Sequence, residues 1–283
     1  MDPSQKSPMK TYLKDCRWGR FLLLDGDMIS DFVNLYGEWC EAEVDLFGKL
    51  LDETSTVIEV GSNIGMHAVP LSRICAKGRL YCYEPQRVIH QILGGNLALN
   101  NCANVATRQC AVGRDHGWIE IQTSSYDESW NYGSFSIGSG FSEEGLFQGE
   151  VATEPVEMVS LDDEVRVHGI GPVHMLKVDA EGYECEVLDG ASALINRDQP
   201  WMFVEANRAE HFDDILSNVH ARGYNAYWFA SLRCRPNNHN RSDRVIPGND
   251  LNLLCCPRGV APPEGLTPAL EWAQLESGQI EAH

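Results

Sequence analysis

The stretch Val57-Ile58-Glu59-Val60-Gly61-Ser62-Asn63-Ile64-Gly65-Met66-His67 constrains this chain more than any other. A short, largely β-branched run meets a turn bounded by two glycines, and a helical pattern follows over about 66–75. Strand, tight loop and helix N-terminus in that order open a nucleotide-type α/β unit. Gly61 and Gly65 let the loop backbone approach a ligand closely. The N–H groups at the helix start favour an anionic or carboxylate-bearing one.

The rest of the chain continues the alternation. Strands are expected at 57–60, 79–83, 105–110, 118–123, 151–159, 173–178, 201–204, 224–229 and 251–256, with helices at 86–99, 184–194 and 209–221. This order predicts an α/β, Rossmann-like doubly wound sheet of seven strands, mostly parallel, with an antiparallel hairpin at one edge. Ahead of it, two apolar runs within 17–35, split by Asp25-Gly26-Asp27, read as a β-hairpin. A helix over about 37–51 follows, with Val44, Phe47, Leu50 and Leu51 on one face. The expected organisation is a loose N-terminal tail (1–16), a hairpin-and-helix extension (17–54), a core (55–258) with an insertion at 124–150, and a C-terminal tail (259–283). The insertion is rich in Ser, Gly and aromatic residues, and a loop of that length is usually a functional lid or disordered.

Charge and composition narrow the function classes. A formal charge of -19 argues against a non-specific hold on nucleic acid, which requires Lys and Arg to neutralise phosphates. No apolar run approaches the ~20 residues of a membrane span, and the first ten residues lack a secretory pattern, so a cytoplasmic location is expected. Ten cysteines without a C-x-x-C pair imply reduced thiols, with neither a disulfide framework nor a structural zinc.

A dinucleotide loop would read G-x-G-x-x-G, but here Asn63 stands where a pyrophosphate needs bare backbone. Glu84, ending the second strand with Pro85 and Gln86 after it, is spaced to accept both ribose hydroxyls. Glu59, inside the first strand, repels a pyrophosphate and suits a cationic ligand with an α-amino group. S-adenosylmethionine, with S-adenosylhomocysteine as its product, meets these requirements. Its carboxylate would lie on the loop N–H groups of Gly61, Ser62, Asn63, Gly65 and Met66, its amine on the acidic rim. Ala111 and Val112, ending the third strand, complete the expected cofactor-binding set.

The chain also resembles the FkbM methyltransferases. Glu59 to Leu71 is similar to that family's first motif, and the likeness continues through Tyr83-Glu84-Pro85-Gln86-Arg87, Asn96-Leu97-Ala98-Leu99-Asn100, Ala111-Val112-Gly113 and Ser160-Leu161-Asp162-Asp163. The most specific segment is Leu176-Lys177-Val178-Asp179-Ala180-Glu181-Gly182-Tyr183-Glu184, close to the family's K-I-D-V-E-G-x-E. Val204-Glu205, Asn252-Leu253-Leu254-Cys255-Cys256-Pro257 and Asn131-Tyr132-Gly133 also fit. The resemblance spans about 37–258 and implies an S-adenosylmethionine-dependent methyltransferase.

Moving a methyl group to a hydroxyl requires alignment and a base. Asp179 is the first candidate, at the end of the fourth strand. Glu181, Glu205 and His67 follow, with Lys177 as an ion-pair partner. Glu184 reads as a solvated helix residue. Asp179, Glu205 and Asn207 offer an oxygen set that would suit Mg²⁺, as in catechol-type methyltransferases, but no metal is counted among the cofactors. Tyr126, Trp130, Tyr132 and Phe135 in the insertion suit a sugar or polyketide face. The expected partner is therefore a small-molecule or glycan acceptor methylated on oxygen. N-methylation of an amide or amine, a nicotinamide-binding oxidoreductase and a non-catalytic binding protein are the alternatives.

Overall fold

The computed structural model describes residues 9–141, 145–276, 280 and 282–283. Residues 1–8 of the expected loose tail, 142–144 of the insertion, and 277–279 and 281 of the C-terminal tail lie outside the described residues.

The described chain opens with an antiparallel hairpin, β1 (Thr11–Cys16) and β2 (Gly19–Leu24), then helices α1 (Met28–Tyr36) and α2 (Glu41–Leu50). This corrects the sequence reading twice. Residues 11–16 are a strand rather than loose tail, and the hairpin lies earlier than expected, reversing at Arg17-Trp18. Asp25-Gly26-Asp27 is instead a helix entry: Asp27 accepts from the Ser30 N–H at 2.9 Å and caps α1. An N-cap and a hairpin turn share these residue types, and here the cap wins because the amphipathic run after it is helical. Gly37 ends α1 in the left-handed conformation, so the second helix begins only at Glu41.

The core follows as β3 (Thr56–Val60), α3 (Ala68–Ile74), β4 (Arg79–Tyr83), α4 (Arg87–Leu99) and β5 (Val105–Arg108). After these come β6 (Ala111–Val112), β7 (Gly117–Ser124), β8 (Val151–Val159), α5 (Leu161–His168), β9 (Met175–Val178), α6 (Glu184–Asp189) and α7 (Ser192–Asp198). The chain then runs through β10 (Trp201–Glu205), α8 (Ala209–Ala221), β11 (Tyr224–Leu232), β12 (Asn249–Pro257), β13 (Thr267–Pro268) and α9 (Ala273–Glu276). The helix expected over 184–194 is two helices. They part at Gly190, whose backbone packs so closely that a Cβ there would lie 2.0 Å from the Gly113 carbonyl oxygen.

The main sheet has the order β13-β11-β12-β10-β9-β3-β4-β5. It is parallel from β10 to β5, and β12 runs antiparallel between β10 and β11. It is the expected doubly wound sheet with an antiparallel edge, enlarged from seven strands to eight because the C-terminal tail supplies β13 against β11. The strands β6, β8 and β7 form a separate three-stranded sheet. The reason is visible in β7: Trp118 and Glu120 are exposed while Ile121 is buried, a one-sided pattern that a sheet covered on both faces does not accept.

Alternation along the strands sorts the core into two layers. Val57, Leu80, Met175 and Phe203 pack with apolar residues of α1 to α4, whereas Ile58, Leu176, Met202 and Val204 pack with those of α5 to α8. The hairpin docks on α4 through two asparagines one turn apart. Asn96 exchanges hydrogen bonds with the Leu22 backbone (2.6 and 3.1 Å) and Asn100 with that of Arg20 (3.1 and 2.8 Å). These amides satisfy the free edge of β2 as a neighbouring strand would. The order reverses between β3 and β9, so the loops after these two strands meet at the carboxyl edge, where doubly wound folds bind ligands. No helix among the described residues is long and apolar enough to cross a membrane.

Candidate active site

At that reversal lies a cavity of about 320 Å³. All the catalytic and cofactor-binding residues expected from the sequence line it except Gly65, whose backbone packs against Leu93; of the insertion aromatics only Phe135 does, and Tyr126, Trp130 and Tyr132 do not. The floor is the β3–β9 contact. Gly61 holds φ +76, and a Cβ there would lie 1.8 Å from the Asp179 carbonyl oxygen, so glycine is required twice over.

The loop after β3 is not the open anion cradle that its glycines suggested. The Gly61 and Ser62 N–H groups both donate to the Tyr83 carbonyl at 3.0 and 3.1 Å. Asn63 N–H donates to Glu84 Oε2 at 3.0 Å, Ile64 N–H to the Asn63 side chain at 2.6 Å, and Gly65 N–H to the Ser62 carbonyl at 2.9 Å. The parallel neighbour β4 brings Tyr83 and Glu84 within reach of the loop, so the donors from Gly61 to Gly65 are engaged before any ligand arrives.

Glu84 is buried and fixed on both oxygens, with Gln86 N–H donating to Oε1 at 2.9 Å. Burial pushes its carboxyl up to about 7, against the pull of the Gln86 and Asn63 N–H bonds. Glu59 and Lys177 are register neighbours on β3 and β9. Burial also pushes Glu59 up, with Lys177 pulling it back. Burial opposes the charge on Lys177, but Asp179, Glu59 and Glu43 outweigh it and keep the ammonium above its ordinary range. Its Nζ lies 3.2 Å from Asp179 Oδ2.

Asp179, Glu181 and Glu205 bring carboxylate oxygens within 4.8 Å of one another. Glu181 pairs with Arg208 at 2.7 Å, and Glu205 accepts from the Asn207 amide. Burial first, then Glu181, Asp179, Glu184 and Asp250, push Glu205 well above the carboxylate range. The oxygen set considered for Mg²⁺ is not assembled: the Asn207 carbonyl oxygen accepts from Leu251 N–H at 2.7 Å, and its amide nitrogen faces Glu205. Glu184 is buried rather than solvated. It accepts from the Ala180 and Gly182 N–H groups at 3.1 and 3.0 Å and shapes the loop that carries Glu181.

The remaining walls come from the N-terminal extension, the antiparallel edge of the sheet and the insertion. Met28, Ile29, Trp39 and Glu43 come from the N-terminal extension, and Arg233, Asp250 and Asn252 from around the β11–β12 connection. Arg233 forms a fork to Asp250 (2.9 and 2.8 Å) and lies over the Phe32 and Trp39 rings. The insertion docks on the rim, where Gln86 donates to the Tyr132 carbonyl at 2.9 Å and Tyr126 donates to Gln86 Oε1 at 3.2 Å. Its aromatic faces are largely turned to one another. Tyr126, Tyr132, Phe141 and Phe147 form a small core of tilted and edge contacts, and Phe135 reaches the cavity.

Glu43 is the residue that the sequence reading missed. It is buried, and burial pushes it up to about 8. The signal was present: Glu43 stands four residues before Phe47 and seven before Leu50, on the apolar stripe of its helix, where an unpaired carboxylate has no place. His67 is buried beside it, and burial together with Lys177 holds its imidazole neutral.

A sequence model described as Methyltransferase FkbM domain matches residues 59–226. "Methyltransferase 1" of Beauveria bassiana (strain ARSEF 2860) is 25% identical over 162 residues, covering 54% of this chain and 63% of that protein. "Methyltransferase sdnD" of Sordaria araneosa is 27% identical over 159 residues, covering 47% and 59%. The chain thus spans about three-fifths of the length of these curated relatives. Among solved structures, Methyltransferase FkbM from Methylobacillus flagellatus KT aligns over 80% of this chain and 52% of its own, with TM-score 0.43 and 16% identity. The O-methyltransferase TomG from Streptomyces achromogenes aligns over 78% and 79%, with TM-score 0.44 and 12% identity.

Proposed function

The chain belongs to the FkbM methyltransferase family, and from that premise we propose that it is an S-adenosylmethionine-dependent methyltransferase. The observation that carries the reading is Glu84, a buried carboxylate fixed by two backbone N–H groups at the rim of the cavity. Each oxygen keeps a lone pair for a ribose hydroxyl. The surroundings fit the same cofactor: Glu59, Glu84 and Asp179 line the cavity and make it attractive to a cation. When bound, the cofactor supplies an electrophilic methyl group on a sulfonium.

The chain's own residues do the rest. Glu84 holds the ribose, with Pro85, Gln86, Ala111 and Val112 beside it. Glu59 and Asp179 face the amino acid end, and Lys177 ties Asp179 to the strand edge. Phe135 and the insertion exclude water from one side. The acceptor in this reading is a hydroxyl on a sugar, glycan or polyketide-type natural product. Amine methylation is the second reading, favoured by the close carboxylates of Asp179, Glu181 and Glu205, which suit a cationic acceptor.

Thermal shift with S-adenosylhomocysteine and with NADH tests the cofactor. At 100 times its Kd a ligand stabilises by about 2.7 kcal/mol. A shift with NADH and none with S-adenosylhomocysteine would overturn the reading. Glu84→Ala should fold and bind S-adenosylhomocysteine about 10- to 100-fold more weakly, the loss of hydrogen bonds to a charged group. Transfer of labelled methyl to a panel of simple glycosides, aromatic polyketides and short peptides separates oxygen from nitrogen acceptors.

A further inference from the structure

Among the residues lining the cavity is a polar pair that the proposed function leaves unused. Both members are more than nine-tenths buried, and both line the cavity: Glu43 on α2 and His67 ahead of α3. Nε2 of His67 has no hydrogen-bond partner among the described residues. Glu43 Oε2 lies 3.4 Å from it, too far for a good hydrogen bond. Buried polar atoms are nearly always satisfied, so an orphan on a cavity wall marks a place for a ligand group.

The pair is held rigidly. Glu43 Oε1 accepts from Ser231 Oγ at 2.6 Å and from Asn252 Nδ2 at 3.1 Å, which leaves Oε2 on the His67 side. Phe47, one helical turn after Glu43, packs edge-on against the imidazole at 5.9 Å between centroids. One face of α2 therefore fixes both the ring and the carboxylate. Once Glu43 is ionised, and with the imidazole proton on Nδ1, the pair presents two acceptors and no donor toward the cavity. That fits a hydroxyl or amine that brings its own hydrogen. The acids favoured from the sequence are engaged otherwise: Asp179 by the Lys177 ammonium, Glu181 by Arg208 and Glu205 by Asn207.

We propose that Glu43, with His67 beside it, is the base that activates the acceptor, the pair receiving the acceptor's hydrogen and Glu43 Oε2 taking its proton. This rests on the methyl-transfer reading. The acceptor's O–H or N–H bond breaks as its proton passes to Glu43. The acceptor's electron pair forms the bond to the methyl carbon, and the pair of the broken C–S bond leaves on sulfur. A sulfonium and a carboxylate become a neutral thioether and a carboxylic acid. The groups facing Glu43 are Lys177 and Asp179 at β9, Ser231 on β11, Asp250 and Asn252 on β12, His67, and Cys40 at the start of its own helix. Together with burial they leave it titrating near 8, so base strength should rise with pH up to that point.

The test uses full-length protein with ¹³C,¹⁵N-labelled histidine and saturating S-adenosylhomocysteine. The His67 ring should stay neutral from about pH 5.5 to about 9 and sense one titration step near 8, absent in Glu43→Gln. With labelled S-adenosylmethionine and the acceptor returned by the panel, Glu43→Gln should lose about 100-fold in kcat together with its rise with pH. It should keep its S-adenosylhomocysteine thermal shift. A wild-type ring that senses no step, or a Glu43→Gln enzyme within about threefold of wild-type kcat on the same pH profile, would overturn the assignment. If Glu43→Gln does not fold, the wild-type titration decides alone. A wild type with neither a thermal shift nor labelled product removes the parent reading and this one with it, whereas a transferring wild type matched by Glu43→Gln removes this one only.

Discussion

Two walls of one cavity each present a buried carboxylate, and they are built in opposite ways. At the rim between β3 and β4, Glu84 is held by backbone N–H groups 2 and 21 residues away. On the α2 wall, Glu43 is held by side chains 188 and 209 residues away. The first is a by-product of a βαβ turn, fixed once the parallel strands pair. The second exists only when the N-terminal extension has packed on the antiparallel edge of the sheet. The family match over 59–226 contains Glu84 but neither Glu43 nor Asn252.

Removing the support of each wall separates them. Gly61→Ala should be the most damaging change, because a methyl at φ +76 meets backbone, the Asp179 carbonyl oxygen, at 1.8 Å. Relief requires β3 and β9 to part, so a loss of about 4 kcal/mol or more in urea unfolding is expected, and S-adenosylhomocysteine binding should go with it. A loss below about 1 kcal/mol would mean that the close approach is not essential. Phe47→Ala comes next. The ring is fully buried between Phe203 at 5.1 Å and His67, and deleting it should cost about 3–5 kcal/mol. Its folded fraction should still bind S-adenosylhomocysteine as wild type does, because only the α2 wall loosens. Equal loss of cofactor affinity in both variants would make the two walls one unit.

The same contrast explains what the sequence could reveal. The strand–loop–helix at 57–67, the acid at Glu84 and the order of the core strands are local patterns, and they emerge where expected. The hairpin lies earlier than expected because Asp25-Gly26-Asp27 suits a turn or a helix cap by residue type; the helical run after it takes the cap, and the Trp130 and Tyr132 backbone hydrogen-bonds to the same segment. The loop glycines promised free donors, but the Gly61 N–H is engaged by the Tyr83 carbonyl on the next strand and the Gly65 N–H by the Ser62 carbonyl. The aromatic insertion looked like a ligand platform because composition does not say which rings face each other. Asn207 looked like a metal ligand until β12 brought the Leu251 N–H to its oxygen. Glu43 shows in the sequence only as a carboxylate out of place on an apolar stripe; the partners that make it tolerable, Ser231 and Asn252, lie at the other end of the chain.

The effect that is smallest at any one pH step, about 1.4 kcal/mol per unit, is the most discriminating, since it reads both carboxylates without ligand. Each has a folded pKa above its ordinary 4.5, Glu84 at about 7 and Glu43 at about 8. Between the two values the folded protein binds more protons than the unfolded chain, so stability falls as pH rises, by about 1.4 kcal/mol per unit for each group. The favourable contribution is complete below pH 4.5 and is gone above the folded pKa, the reverse of a salt-bridged acid. Glu84→Gln should flatten the slope up to about pH 7 only, whereas Glu43→Gln should flatten it up to about pH 8. Glu84→Gln should also lie about 1 kcal/mol lower throughout, because an amide NH₂ cannot accept one of the two N–H bonds. Glu43→Gln keeps an oxygen for Ser231 and Asn252 and escapes that penalty. Asp27 and Glu41, also pushed up by burial, to about 6 and 7, are common to all three proteins and cancel. Urea unfolding at unit steps of pH is the measurement. If the variants diverge from wild type over the same window, the two walls hold their carboxylates alike, and the contrast between a locally built rim and a tertiary wall fails at its electrostatic core.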